Sequence, residues 1–150
     1  MVEALTTIGS PSATRLLEKA IDDPERDVRI AAVKFLGQRG HRNAFPRVEA
    51  AVTGNKLKDA DLTEKMAFFE AYGALAGEGG IGTLEKLLVA KGGLLARKED
   101  PETRACAAMA LGKIRTPAAR EILQKVTQDK EPLVRNAVSR ALRETGGTPS

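Results

Sequence analysis

Asp23-Pro24-Glu25-Arg26-Asp27-Val28-Arg29-Ile30-Ala31-Ala32-Val33-Lys34-Phe35-Leu36-Gly37 is the stretch whose reading decides the fold. It returns 106 residues later as Asp129-Lys130-Glu131-Pro132-Leu133-Val134-Arg135-Asn136-Ala137-Val138-Ser139-Arg140-Ala141-Leu142. The shared residues fall in register: Asp23 with Asp129, Glu25 with Glu131, Val28 with Val134, Arg29 with Arg135, Ala31 with Ala137 and Leu36 with Leu142. The same offset lays Ala4–Pro11 over Ala110–Pro117 and pairs Ala13 with Ala119, Leu17 with Leu123 and Lys19 with Lys125. Chance does not give that density over so short a stretch, so the chain is built from an internal repeat.

Two further copies lie between. Arg104–Gly112 aligns with Arg29–Gly37, and Lys65–Gly73 is a more divergent version with Phe68 and Tyr72 at apolar positions. The landmark Leu5, Leu36, Tyr72, Leu111, Leu142 recurs at intervals of 31, 36, 39 and 31 residues. Constant helices with variable spacing put the extra residues in loops, here Gly54–Ala60 and Gly92–Glu99. Within a copy the apolar period is helical: Val134, Ala137, Val138, Ala141 and Leu142 share one stripe, opposite Arg135, Ser139 and Arg143. Pro11 and Pro117 follow Ser10 and Thr116, a hydroxyl cap with proline at the first helical position. Pro24, Pro101 and Pro132 stand where the second helix of a pair should begin. These signals predict a lone helix over 2–8, then pairs at 11–22 with 25–39, 42–53 with 61–76, 79–91 with 100–114, and 117–128 with 131–144. No alternating β-branched run suggests a strand.

The expected fold is therefore all-α, a superhelix of about four helix pairs preceded by a half repeat. It forms one domain over residues 1–144, with a flexible tail over 145–150. Asp23-Pro24, Val28-Arg29, Ala31-Ala32 and Leu36-Gly37 together resemble the short bacterial HEAT-like repeat, the class associated with phycobilisome-lyase proteins. The resemblance spans nearly the whole chain and implies an α-solenoid; it does not imply one activity, because the fold hosts unrelated functions. The opening residues match only the second helix of a repeat, so the chain is expected to be a piece of a longer solenoid, the alternative being an N-terminal helix that acts as a half-repeat cap.

Composition narrows the function classes. Hydrophobic residues make up 42% and charged residues 29% of 150, as in soluble globular chains. The net charge of +4 spreads over 24 basic and 20 acidic residues, which permits a nucleic-acid partner without requiring one. A single cysteine forbids an intrachain disulfide and suits a reducing compartment, so the expected location is cytoplasmic. Residues 1–10 lack the basic and apolar regions of a secretory signal. No apolar run approaches the ~18 residues of a membrane span.

Arg29, Lys65, Arg104 and Arg135 occupy one repeated position, with Asp23, Asp27, Asp61, Asp100 and Asp129 near the corresponding turns. In HEAT-like repeats such side chains form a ladder between adjacent units, and the planar guanidinium can hold a carboxylate and a turn carbonyl together. A row of cations for phosphate is the alternative; the acid beside nearly every base favours the ladder.

The outward strip of the second helices, concave in a solenoid, is the candidate binding surface. Helical spacing assigns to it Asp27, Ile30 and Lys34; Thr63, Met66 and Glu70; Glu102, Ala105 and Met109; and Leu133, Asn136 and Arg140. Ile30, Lys34, Met66, Glu70, Met109, Asn136, Arg140 and Arg143 are the residues expected to meet a partner. Mixed charge with adaptable methionine fits a protein or peptide better than a phosphate backbone. The competing reading is that Ile30, Met66 and Met109 merely pack between helices.

Nucleic-acid binding would use the C-terminal cluster Arg115, Arg120, Arg135, Arg140 and Arg143, with Lys113 and Lys125, diluted by Glu121, Glu131 and Glu144. A tetrapyrrole-holding accessory protein of the lyase type is a further alternative that lacks groove aromatics; Phe35, Phe45, Phe68, Phe69 and Tyr72 read as core. Catalysis finds little support. His41 is the one histidine and sits in a polar turn, so a multi-histidine metal site is excluded. Cys106 lies in an alanine-rich helix as a small buried residue. Gly77-Glu78-Gly79-Gly80-Ile81-Gly82 lacks the Gly-Lys-Ser/Thr ending of a phosphate loop. No enzyme activity, cofactor or metal is expected.

Overall fold

The computed structural model of the chain describes residues 11–89 and 99–146. The helix expected over 2–8, the tail over 147–150 and most of the 92–99 loop lie outside them. The chain divides into two compact units, residues 1–75 and 76–150. No strand occurs among the described residues.

In the first unit, α1 (Pro11–Ala20) pairs with α2 (Arg26–Gln38), and α3 (Phe45–Thr53) with α4 (Leu62–Ala76). A 3-10 turn, Arg42–Ala44, leads into α3. The expected end of α1 at residue 22 is a tightened turn: Ile21, Asp22 and Asp23 N–H donate to the carbonyls of Glu18, Lys19 and Ala20. Pro24 stands two residues ahead of α2 rather than inside it. Asp23 Oδ1 accepts from Glu25 N at 2.8 Å, which fixes an Asx turn before the helix starts. Leu17, Ile21, Val33, Leu36, Val48, Phe68, Phe69 and Tyr72 are fully buried and form the core. Each such side chain contributes roughly 1.5–3 kcal/mol of burial. Phe45 stacks on Tyr72 at 5.6 Å, and the Tyr72 hydroxyl donates to Glu49 Oε2 at 3.1 Å, tying α3 to α4.

The second unit repeats the plan. A 3-10 turn, Gly77–Gly80, leads into α5 (Ile81–Leu88), which packs on α6 (Pro101–Ile114); α7 (Pro117–Gln124) packs on α8 (Pro132–Gly146). Pro101 and Pro117 take the first helical position. Thr116 Oγ1 accepts from Ala119 N at 3.2 Å, the cap the sequence suggests, and Asp100, expected in the ladder, accepts from Thr103 N at 2.9 Å as a cap of α6. The turn after α7 tightens as after α1, with Lys125, Val126 and Asp129 N–H donating to Ile122, Leu123 and Val126 carbonyls.

Gly37 and Gly112 permit close approach and do not end their helices. A Cβ on Gly37 would lie 2.9 Å from Cα and Cβ of Ala71, and one on Gly112 would lie 2.8 Å from Cβ of Ala141. The repeat brings α2 against α4 in one unit and α6 against α8 in the other at the same register, where only glycine leaves room.

Candidate functional site

The repeated arginine position lies where successive second helices meet. Arg29 Nε and Nη2 donate to the two oxygens of Glu64 at 2.6 and 2.9 Å. Its Nη1 donates to the carbonyls of Asp23 and Pro24 at 2.9 and 3.0 Å. One guanidinium thus clamps its own turn and the next repeat, and its pKa is raised chiefly by the hydrogen bond to Glu64. In the second unit Arg104 Nε donates to the Leu88 carbonyl at 3.0 Å while its fork grips both Asp129 oxygens. Arg135 Nη1 donates to the carbonyls of Asp129 and Lys130 at 2.8 and 3.1 Å. Lys65, at the equivalent position, is buried.

The acids differ from the expected set. Glu64, 3% exposed, is the carboxylate on Arg29, and sequence reasoning missed it because it lies in the most divergent copy. Asp27 does not bridge repeats; it is 91% exposed and bonds Arg26 of its own helix at 2.8 Å. Asp61 has two tasks: it accepts Glu64 N at 2.9 Å as the cap of α4, and it accepts Arg26 Nε at 2.5 Å. The Arg26 hydrogen bond, followed by the backbone bond from Glu64, holds its carboxyl below the usual range. Asp100 caps α6.

These charges border an open cleft of about 570 Å³ between the turn at 22–24 and the loop at 56–61. Lys56 donates to the Ile21 carbonyl at 3.0 Å and to Asp22, which also accepts Arg47 at 2.8 Å. Burial of Lys56 over the Phe68 ring, 5.7 Å from its centroid, lowers the amine pKa. Every cation lining the cleft (Arg26, Arg29 and Lys56) has a carboxylate partner, so the cleft has no uniform field to attract phosphate.

The strip residues lie on the second helices of both units. In the first, Lys34, Glu70 and Met66 (39% exposed) face solvent, with Ile30 half-buried. In the second, Asn136, Arg140 and Leu133 (41% exposed) face solvent, while Met109 is half-buried and Ala105 is buried. Arg143 is exposed but off the strip. It takes the register of Gly37 and Gly112, the positions through which α2 meets α4 and α6 meets α8.

The model of HEAT repeats matches residues 1–62 and 93–150. The chain belongs to the HEAT-repeat family. Its fold is an all-α solenoid of helix pairs, and the match is coarser than the phycobilisome-lyase-type class. The unmatched stretch, 63–92, contains the divergent copy. No curated protein matches the sequence. HEAT repeats commonly mediate protein interactions and are typically non-enzymatic.

The remaining candidates fit that family. Cys106 is buried among the alanines of α6. His41 is half-buried, its ring stacked on Phe35 at 6.3 Å. No group of three or more metal-ligating side chains occurs among the described residues, and none of their helices is long and apolar enough to cross a membrane. The C-terminal basic cluster is dispersed by internal bonds. Lys113 pairs with Glu144, Arg115 Nη2 donates to the Glu144 carbonyl at 3.1 Å, and Lys125 pairs with Glu85. Arg140 and Arg143 have no partner among the described residues.

Proposed function

We propose that this HEAT-repeat chain is a non-catalytic scaffold that binds a protein or peptide on the exposed strip of its second helices, the side that is concave when such pairs wind into a superhelix. Ile30, Lys34, Met66 and Glu70 form the strip in the first unit; Met109, Asn136 and Arg140 form it in the second. The supporting observation is Met66, which is 39% exposed on a helix whose neighbouring Glu64, Lys65, Ala67, Phe68 and Phe69 are all buried. A large flexible thioether held in water between Thr63 and Glu70 supplies apolar contact within a polar rim.

Photo-crosslinking groups placed at Met66 and at Asn136 test this in the whole chain, with Ser12 and Gln124, exposed on first helices, as controls. The strip positions should capture one protein, the controls none, and Met66→Asp should abolish capture from a group placed at Glu70, exposed one turn along the same helix, with helical circular dichroism unchanged. Loss of helix in Met66→Asp would assign Met66 to the core, and equal capture from all four positions would remove the strip as a site. The nucleic-acid reading draws support from Arg140 and Arg143. It predicts salt-dependent retention on DNA or RNA, weakened by charge reversal at both.

A further inference from the structure

The second helices stack through three positions of the repeat. In α2 they are Arg29 and Gly37, which meet α4, with the buried Val33 one turn from each; in α6 they are Arg104, Ala108 and Gly112, of which Arg104 grips Asp129 just ahead of α8 and Gly112 meets α8 itself. The same positions in α8 hold Arg135, Ser139 and Arg143, respectively half-buried, exposed and exposed. Arg135 is held by its turn as Arg29 is, with Nη1 on the carbonyls of Asp129 and Lys130 where Arg29 uses those of Asp23 and Pro24. The Nε–Nη2 edge, with which Arg29 grips Glu64, has no acceptor on Arg135 among the described residues.

We propose that this outward face of α8 docks an acidic α-helix, with Arg135 gripping one carboxylate as Arg29 grips Glu64. The face lies beside the strip formed by Leu133, Asn136 and Arg140, and the proposal does not depend on that strip. Ser139 and Arg143 stand where Val33 and Gly37 allow apolar contact and close approach, so a further apolar repeat would meet a hydroxyl and a long cation there. A helix with carboxylates on one face meets complementary charge instead. Arg135 and Arg143 are eight residues apart, about 12 Å along the axis, which matches acids seven or eight residues apart on the incoming helix. Glu131, one turn ahead of Arg135, stands at one end of the face and would repel a phosphate backbone tracking along it, whereas an acidic helix can place single carboxylates beyond it.

The test uses the whole chain and a fluorescent alanine-rich helical peptide with glutamates seven residues apart, read by anisotropy. The peptide should bind. Arg135→Lys, which keeps the charge but loses the fork, should weaken binding by about tenfold or more. Arg143→Gln should weaken it further, with helical circular dichroism unchanged in both. Met66→Asp should leave peptide binding intact, which separates this face from the strip. Binding unchanged by Arg135→Lys would overturn the proposal, as would equal binding of a peptide with scrambled glutamates. So would tighter binding of a single-stranded oligonucleotide of matching charge that displaces the peptide.

Discussion

Arg29 and Glu64 show what one residue decides. Glu64 is nearly buried and its charge is tolerable because the guanidinium supplies two hydrogen bonds. Arg29→Met leaves that carboxylate buried and unpaired, and urea unfolding should report a loss of roughly 3–5 kcal/mol. Arg29→Met with Glu64→Leu should recover most of it, because the apolar pair needs no compensation. Asp61 gives a pH dependence of definite sign. Its carboxyl titrates lower in the folded chain than in the unfolded one, so the unfolded chain takes up its proton first as the solution is acidified. The stabilisation is complete above the ordinary carboxylate pKa, about 4, and is lost as pH falls through the lower folded value. Asp61→Asn keeps the cap and should flatten the melting temperature against pH below about 4; an unchanged acid slope would remove Asp61 as its source.

Helix contacts depend on glycine and on caps. Gly37→Ala places a methyl 2.9 Å from Ala71. Overpacking of about 1–3 kcal/mol exceeds the roughly 1 kcal/mol of helix propensity gained, so the urea midpoint should fall. Ala71→Gly in the same chain should restore part of the loss by reopening the space. Asp100→Ala removes the cap of α6 and should cost about 1 kcal/mol in the same assay. The Thr116 cap was legible in the sequence because it depends on a neighbour three residues away. The role of Gly37 is decided by Ala71, its neighbour on the next repeat.

Across the whole molecule, burial is uneven. Nine residues of α4 and eight of α6 are buried, whereas α1 keeps Ser12, Arg15, Leu16 and Lys19 in water. Native-state hydrogen exchange should therefore be slowest in α4 and α6 and fastest in α1, because opening a helix exposes the apolar surface it buries. Equal rates in all three would contradict this ordering. The low amphipathicity of these two second helices also explains why a single apolar stripe locates them less sharply than α1 or α7: packing on several sides hides the period.

The repeat, the helix pairs, the proline starts at 101, 117 and 132 and the all-α class follow from the sequence alone, because helical period and capping are set within a few residues along the chain. The burial of Cys106 and the core placement of Phe68, Phe69 and Tyr72 were legible for the same reason, whereas Phe35 and Phe45, read with them as core, are half-buried. Only the tertiary structure decided which acid meets which arginine. Glu64, hidden in a divergent copy, replaces the expected Asp27, and Gly37 owes its close approach to Ala71. Both depend on a neighbour about thirty residues away, and side chains that meet across repeats leave no local periodicity to read.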